Sequence, residues 1–373
     1  MNRRPMKHAK NLARIARNSV SSLATELRSR IKEKKALLYP KPGTPQPVKP
    51  GIRDLDATGI LTVQDHGTVI PLHWYEVGPD RDPAAEPGAA DTAAAEALTI
   101  VFIHGFTLGA DSWYRQFRRL RKDLPGVRLL TLDLRGHGKT GSVPPSSCST
   151  DTAAEDVLAV VAERAPTGKL ILVGHSLGGQ IAFAALRRAP EEVRQRIAGL
   201  VLVSTAIERF AANGVPELLN LRIVGWLAGL LKASPKRVRK LRDKIAGLIA
   251  PALAIAVFSR PANRRIIDLH AYMINETPLD TYLGFLDNLR EHDEYEAVPY
   301  LSGLPGVVLV GDNDDVTSRE QTEKIMAAWP GAELVEVTNA GHMLPLEAPK
   351  EVNAAIARLA ERVAGGTTHP QQR

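Results

Sequence analysis

A serine inside a glycine-bounded pentapeptide is the residue of this chain best placed for nucleophilic chemistry. Ser176 is the third residue of GHSLG (174–178), which directly follows the apolar run LILV and directly precedes a helical pattern. A serine on such a strand-to-helix turn presents its Oγ at a helix N-terminus, where backbone N–H groups favour developing negative charge. The flanking glycines suit the turn because a Cβ two residues away would clash. We therefore predict Ser176 as a nucleophile; the alternative is a glycine-rich turn used only for packing.

A nucleophilic serine needs a base, and His342 is the candidate for this role. It lies in NAGHM (339–343), a loop that follows the last strand-like run, 332–337. The adjoining Gly341 gives the imidazole a flexible approach to Ser176. The alternative is a histidine on a surface loop without a catalytic role. We predict that His342 accepts the proton of the serine hydroxyl.

Three aspartates compete for the role of the acid that orients the histidine. They are Asp312, Asp314 and Asp315, all in GDNDDVT (311–317) after the strand-like run VVLV. A carboxylate is needed because it fixes the tautomer of the histidine and stabilises its charged form. Asp314 stands third after Gly311, where the loop should turn back toward the sheet, so we predict Asp314 and keep the other two as alternatives. The order serine, aspartate, histidine along the chain is typical of this serine motif.

The tripeptide His104-Gly105-Phe106 follows another apolar run, LTIVFI, and is the candidate for a further part of the site. In enzymes with this serine motif, the loop at this place supplies a backbone N–H to the oxyanion hole, and the residue after the nucleophile supplies a second. We predict that the N–H groups of Phe106 and Leu177 form this hole. His104 itself is expected to hold the shape of its loop.

Alternating strand and helix patterns carry these motifs. Short apolar runs that are typical of buried parallel strands lie at 98–103, 127–132, 170–173, 200–203 and 307–310. Helical patterns lie at 111–122, 151–164, 178–189, 319–329 and 347–363. Two earlier runs, 60–64 and 69–77, are predicted to form a hairpin around Asp65-His66-Gly67. This alternation predicts an α/β fold with a twisted, mostly parallel sheet and helices on both faces.

The alternation stops over a long stretch after the fourth of these strands, where several helical segments and no convincing strand are found. We predict that this stretch is a helical cap over the carboxyl ends of the strands. The predicted parts are a basic amphipathic N-terminal arm (1–38), a proline-rich linker (39–56), an α/β core (57–205 and 298–363), the helical cap (206–297) and a disordered tail (364–373).

Together the motifs resemble the α/β-hydrolase superfamily, and most of all its lipase/esterase and haloperoxidase-like branch. The segments that carry the resemblance are HGF (104–106), DLRGHG (133–138), GHSLGG (174–179), GDNDDVT (311–317) and GHMLPLEAP (341–349). The resemblance extends over about residues 57–363. It implies the α/β-hydrolase fold with Ser176, Asp314 and His342 as a catalytic triad, and it does not specify a substrate. One departure is Asp315, where relatives often carry proline.

A serine nucleophile implies attack on a carbonyl carbon and an acyl-enzyme that water hydrolyses. Epoxide hydrolases and haloalkane dehalogenases use an aspartate at this position, so Ser176 argues against both. The leading expectation is a carboxylic-ester hydrolase, and apolar segments within 218–258 favour a hydrophobic or lipid-like ester. The alternatives are a carbon–carbon bond hydrolase or a perhydrolase with the same triad, and a non-catalytic ligand-binding protein. We expect no cofactor and no metal, since neither a nucleotide-binding loop nor a ligand cluster is found.

The basic character of the chain is confined to its N-terminus. Residues 1–50 hold 13 Lys and Arg against two acidic residues, a net charge of +11, and the total of +7 therefore leaves −4 for the rest. Apolar residues at helical spacing lie among the basic ones, which predicts either an arm that binds an anionic membrane or a disordered tail. Nucleic-acid binding is not expected, because no aromatic residue precedes Tyr39. With one cysteine, no signal-peptide pattern and no transmembrane run, we expect a cytoplasmic location, either free or peripheral at the membrane, and leave the oligomeric state open.

Overall fold

The computed structural model describes residues 51–78, 98–209, 257–260 and 262–365. The predicted arm, most of the linker, much of the cap and most of the tail lie outside the described residues. The apolar cap segments used to predict a hydrophobic substrate also lie outside them, apart from their last two residues. The structure does describe all the segments in which strands are predicted.

An eight-stranded sheet runs through the described part of the chain. Its strands are β1 (Ala57–Asp65), β2 (Thr68–Val77), β3 (Thr99–Ile103), β4 (Arg128–Leu132), β5 (Leu170–His175), β6 (Ile197–Val203), β7 (Gly306–Gly311) and β8 (Ala332–Val337). Their order in the sheet is β1-β2-β4-β3-β5-β6-β7-β8. The pairs β1–β2 and β2–β4 are antiparallel, and every other pair is parallel. The prediction of a mostly parallel sheet is confirmed.

Helices alternate with the parallel strands. They are α1 (Tyr114–Asp123), α2 (Thr150–Arg164), α3 (Leu177–Arg188), α4 (Glu191–Arg194), α5 (Arg264–Glu276), α6 (Leu279–Glu291), α7 (Arg319–Ala328), α8 (Leu344–Glu347) and α9 (Pro349–Ala364). The boundaries of five of them agree with the predicted helical patterns to within a few residues; these are α1, α2, α3, α7 and α9. Helices α8 and α9 are separated at Ala348, because Pro349 has no N–H with which to continue α8.

Both faces of the sheet are covered, so the central strands are buried along their whole length. Every residue of β3 is buried. Val101 and Ile103 pack in one apolar cluster with α2 and α3, while Ile100 and Phe102 pack in a second cluster with α1 and α9. Successive side chains of a strand point to opposite faces. A strand covered on both faces therefore needs a continuous apolar run, which is why such runs predict these strands.

The parallel strands bring the four predicted motifs to one edge of the sheet. Ser176 follows β5, and Phe106 lies in the loop after β3. Asp314 lies in the loop after β7, and His342 in the loop after β8. The carboxyl ends of parallel strands meet at the same edge, and ligands of open α/β sheets bind there.

Two α-helices, α5 and α6, lie in the described part of the predicted cap. Helix α6 is attached to the loops at the sheet edge: Thr281 Oγ1 donates to the carbonyl oxygen of Gly136 at 2.9 Å. The N–H of Thr150, the first residue of α2, donates to Asn288 Oδ1 at 3.0 Å. No helix among the described residues is long and apolar enough to cross a membrane.

The chain leaves the sheet for this region and returns to it at neighbouring positions. The N–H of Glu294 donates to the carbonyl oxygen of Ile207 at 2.9 Å. Glu208 and Asp293, the next residues inward, form an isolated antiparallel bridge. The residues between β6 and β7 therefore form an insertion whose two ends are joined.

Candidate active site

Ser176 occupies a tight turn between β5 and α3. Its backbone has φ +53° and ψ −120°, a conformation that residues other than glycine rarely adopt. The turn closes because its neighbours lack side chains: a Cβ on Gly178 would clash with the carbonyl oxygen of Ile103, and one on Gly174 with the backbone of Gly178. The N–H of Ser176 donates to the carbonyl oxygen of Val203 at 3.0 Å. The hydroxyl is thus placed at the N-terminus of α3, as its motif predicts.

The structure brings His342 and Asp314 together. Nδ1 of His342 lies 3.0 Å from Oδ2 and 3.2 Å from Oδ1 of Asp314. Both residues are buried, whereas Asp312 and Asp315 are exposed. Asp312 accepts a hydrogen bond from the N–H of Ala340 instead. Of the three candidate aspartates, Asp314 is therefore the one paired with the predicted base.

The surroundings of Asp314 keep its carboxyl group ionised. Burial acts to raise its pKa, but His342 and the hydrogen bonds of Thr317 outweigh burial, so the pKa is lowered from its ordinary value. Oδ1 accepts the N–H groups of Val316 and Thr317, each at 2.9 Å, and Oδ2 accepts the Thr317 hydroxyl at 2.6 Å. A carboxylate with this many donors stays charged at neutral pH and can stabilise an imidazolium.

A second histidine, which the sequence motifs do not single out, joins the serine turn to the His342 loop. His175 directly precedes Ser176, and its Nε2 donates to the carbonyl oxygen of His342 at 2.9 Å. The two ring centroids are 5.1 Å apart. Burial, assisted by the nearby His342, lowers the pKa of His175 to about 3, so the ring is neutral. The second position of the G-x-S-x-G motif prescribes no residue type, so the motif offered no signal for this contact.

The loop after β3 lies directly against the serine turn. A Cβ on Gly105 would be 3.2 Å from the Cβ of Ser176. Phe106, the next residue, is therefore close to the turn. Leu177 is the first residue of α3, and its N–H is one of the four that a helix leaves without an internal partner. Both residues predicted for the oxyanion hole thus flank Ser176.

Two buried histidines hold this loop and the loop after β4 together. Nε2 of His137 accepts the N–H of Thr107 at 3.2 Å, and Nε2 of His104 accepts the N–H of Leu134 at 3.0 Å. Each ring belongs to one loop and bonds to the other. Burial lowers the pKa of His104 to about 4 and that of His137 to about 3. Both rings are therefore neutral, which these bonds require, since a protonated imidazole has no acceptor nitrogen.

Aromatic side chains of α6 lie against Phe106. The ring of Tyr282 meets it edge-on, with centroids 4.8 Å apart, and the ring of Phe285 lies at 6.4 Å. Burial raises the pKa of Tyr282 to about 12, although a hydrogen bond with Thr107 acts in the opposite direction. These residues lie beyond 218–258, the stretch whose apolar segments favour a hydrophobic substrate, and were not predicted. Their only signal was an apolar spacing along α6.

The described residues contain no group of three or more His, Cys, Asp and Glu side chains that could hold a metal ion. Two carboxylates near these loops, Asp156 of α2 and Asp65 at the end of β1, pair with Arg135. Its guanidinium binds Asp156 through two bonds of 2.7 and 2.8 Å, and Asp65 through one of 2.6 Å. This arginine braces the loop after β4.

The sequence pattern of the alpha/beta hydrolase family matches residues 100–355, more than half of the chain, and this match includes every predicted site residue. This chain belongs to the alpha/beta hydrolase family. The resemblance inferred from five motifs is thereby confirmed.

Known members of the family differ in activity. The dihydrolipoyllysine-residue acetyltransferase component of the acetoin cleaving system of Pseudomonas putida is 26% identical over 287 residues, or 76% of this chain and 64% of that protein. This chain therefore spans less than two thirds of that relative. The sn-1-specific diacylglycerol lipase ABHD11 of Mus musculus is 25% identical over 263 residues, which cover 69% of this chain and 79% of the lipase.

A thermophilic esterase from Thermogutta terrifontis, solved with malate bound, has a similar structure. The TM-score is 0.61 at 23% identity, and the match covers 83% of this chain and 99% of the esterase. At this identity the likeness establishes the fold. The family match and the relatives named as esterases and lipases make the chain an enzyme of this fold.

Proposed function

We propose that this enzyme is a serine hydrolase that cleaves carboxylic esters through an acyl-enzyme. The observation that carries the proposal is the 3.0 Å contact between His342 Nδ1 and Asp314 Oδ2. The carbonyl oxygen of His342 also accepts a hydrogen bond from His175, the residue before Ser176. An ionised carboxylate behind a histidine, beside a serine on a strained turn, is an arrangement that activates a hydroxyl as a nucleophile. The relative named as a diacylglycerol lipase supports an ester as the substrate.

In the proposed mechanism, His342 removes the hydroxyl proton of Ser176 as Oγ attacks the ester carbonyl. Asp314 stabilises the imidazolium that forms. The N–H groups of Phe106 and Leu177 stabilise the negative carbonyl oxygen, helped by the dipole of α3. The alcohol then leaves with the proton of His342. Water that is activated by the same histidine attacks the acyl-enzyme and releases the acid.

A hydrophobic or lipid-like ester is the proposed substrate. The support comes from Phe106 and Tyr282, which are both partly exposed and whose rings meet edge-on with centroids 4.8 Å apart. Each methylene group of an acyl chain that leaves water for such surfaces contributes about 0.8 kcal/mol. A panel of p-nitrophenyl esters should therefore show kcat/KM rising with acyl length over the first few carbons.

Carbon–carbon bond hydrolysis and perhydrolysis would use the same three residues, and a ligand-binding protein could keep them without turnover. Labelling by a fluorophosphonate separates an enzyme from a binding protein, because only an activated serine reacts. The ester panel then tests whether the labelled serine cleaves esters. If the protein is labelled but cleaves no ester of the panel, the proposal of an esterase is wrong.

The first variant to test is Ser176→Ala. It should lose fluorophosphonate labelling and lower kcat by at least about 10³-fold, because the attacking oxygen is gone. Circular dichroism should remain that of the wild type. A matched control is Ser147→Ala, which removes another buried serine hydroxyl, one bonded to Asp65. If Ser176→Ala hydrolyses esters at a rate near that of the wild type, the nucleophile has been wrongly assigned.

A further inference from the structure

Glu347 binds the backbone on both sides of His342. Its Oε1 accepts the N–H of Gly341 at 2.9 Å and the N–H of Met343 at 3.1 Å. Glu347 is the last residue of α8, and its carboxylate folds back over the loop from which that helix starts. The proposed reaction assigns no role to this carboxylate, although it contacts the two residues adjacent to the proposed base.

The other oxygen of the same carboxylate holds a second segment of the chain. Oε2 accepts the N–H of Ser259 at 3.0 Å and the N–H of Arg260 at 2.9 Å. These residues shortly precede α5, the first described helix of the predicted cap. The same segment also contacts the proposed base, since the N–H of His342 donates to the carbonyl oxygen of Val257 at 3.0 Å. One carboxylate thus ties the His342 loop to the segment that leads into α5.

The bonding of Glu347 points to a role in fixing the backbone. Burial raises its pKa, while its four N–H bonds act to lower it. The guanidinium of Arg260 is directed to Glu351, which its Nη1 reaches at 2.7 Å. The described partners of Glu347 are therefore peptide groups, to which an anionic acceptor gives stronger bonds than a neutral one.

We propose that Glu347 is a positioning residue that holds the backbone of His342 where Nδ1 meets Asp314 and Nε2 can reach Ser176. This inference rests on the proposed function, in which His342 is the base. The carbonyl oxygen of His342 is held by His175, and Glu347 restrains the peptide groups on either side. Such restraint matters because a misplacement of about 1 Å in a reacting group can cost about 100-fold in rate.

Glu347→Gln is the decisive variant. Each carboxylate oxygen holds two N–H groups, so an amide in either orientation turns its NH₂ toward two donors and leaves them without an acceptor. Glu351→Gln is the matched control, because it removes the same charge on the next helix, α9, and breaks only the side-chain pair with Arg260. The variants are compared as full-length proteins with p-nitrophenyl butyrate. Active sites are counted by fluorophosphonate labelling, so that misfolded molecules do not contribute.

We expect Glu347→Gln to lower kcat per labelled site about tenfold with KM unchanged, because it displaces the base and leaves the substrate-binding surfaces intact. The rate constant of labelling should fall in parallel. Glu351→Gln should keep both values. A purely structural role would lower the melting temperature and the number of labelled sites and leave kcat per site unaltered. That result would overturn the inference, and so would an equal loss of kcat in Glu351→Gln.

If Glu347→Gln does not fold, Glu347→Asp serves in its place. It keeps the charge but is one methylene shorter, so it cannot reach all four N–H groups, and kcat per labelled site should again fall. An unchanged kcat per site in Glu347→Asp would then overturn the inference. Failure of the proposed function has a different signature: the wild type itself would not be labelled, or Ser176→Ala would still hydrolyse the ester.

Discussion

Two pairs of buried side chains at the sheet edge contain histidine, and they differ in what the rings face. In the His342–Asp314 pair, Nδ1 faces a carboxylate at 3.0 Å. In the His104–His137 pair, the Nδ1 atoms face backbone carbonyl oxygens and the Nε2 atoms face backbone N–H groups. All four residues are less than one tenth exposed. Burial alone therefore does not decide what a histidine does in this molecule.

The difference between the pairs lies in the charge each can hold. An imidazole that is buried against backbone groups stays neutral, and its two nitrogens act as one fixed donor and one fixed acceptor. An imidazole that is buried against an ionised carboxylate can take up a proton, because the carboxylate stabilises the positive ring. The first arrangement suits a bond that must not change, and the second suits a proton that must move.

The largest effect on catalysis is expected when the carboxylate of Asp314 is removed. Asp314→Asn should lower kcat about 10³- to 10⁴-fold, because an amide cannot stabilise the imidazolium of His342 and can favour the wrong tautomer. The exposed Asp315→Asn removes the same charge from the next residue and should keep kcat near that of the wild type. Steady-state hydrolysis of a p-nitrophenyl ester checks both. If Asp315→Asn is the inactive variant, the acid is Asp315 and not Asp314.

The neutral histidines His104 and His137 should lower the free energy of unfolding at acidic pH. The pKa of His137 is about 3 in the folded protein, against about 6.5 in an unfolded chain, so the unfolded state takes up the proton first as pH falls. The stabilisation from keeping this ring neutral is complete above about pH 6.5 and is lost as pH falls toward the folded pKa. The loss amounts to about 2 kcal/mol between pH 7 and pH 5.

His137→Gln tests this dependence by urea unfolding at the two pH values. The difference in the free energy of unfolding between pH 7 and pH 5 should be about 2 kcal/mol smaller than in the wild type. His66→Gln is the control, because the side chain of His66 is 92% exposed and its replacement should leave the difference unchanged. Equal differences in the wild type and His137→Gln would mean that the ring of His137 does not resist protonation.

The smallest effect on catalysis is expected from removal of the N-terminal arm, since both histidine pairs lie in the α/β core. A chain that begins at residue 51 should hydrolyse a soluble ester as fast as the full-length protein. It should co-sediment less with anionic liposomes at low salt, because residues 1–50 carry a net charge of +11 and each basic residue near such a surface contributes about 1 kcal/mol. Equal liposome binding by both chains, or none by either, would exclude a membrane role for the arm.

The sequence predicted the strands well because their apolar runs follow directly from burial on two faces, as in β3. It singled out Ser176, Asp314 and His342 because the proposed chemistry allows few residue types at each place. It did not reveal His175 or Glu347, because their side chains bind backbone groups, which are the same in almost every residue type. Those contacts also join distant segments: His175 and His342 are 167 positions apart, and Glu347 and Ser259 are 88 apart. Only the folded arrangement of the loops shows such partners.

The joined ends of the insertion make it a replaceable module. Ile207 and Glu294 are linked by one backbone hydrogen bond, so the spacing between β6 and β7 does not depend on what lies between those residues. The entropic cost of closing the chain around an insertion changes only slowly with the length of the insertion. We therefore expect recombination at these two positions to exchange one cap for another without disturbing the strands. In such chimaeras an incoming cap would have to supply its own backbone partners for His342 and Glu347, because Val257, Ser259 and Arg260 belong to the exchanged part.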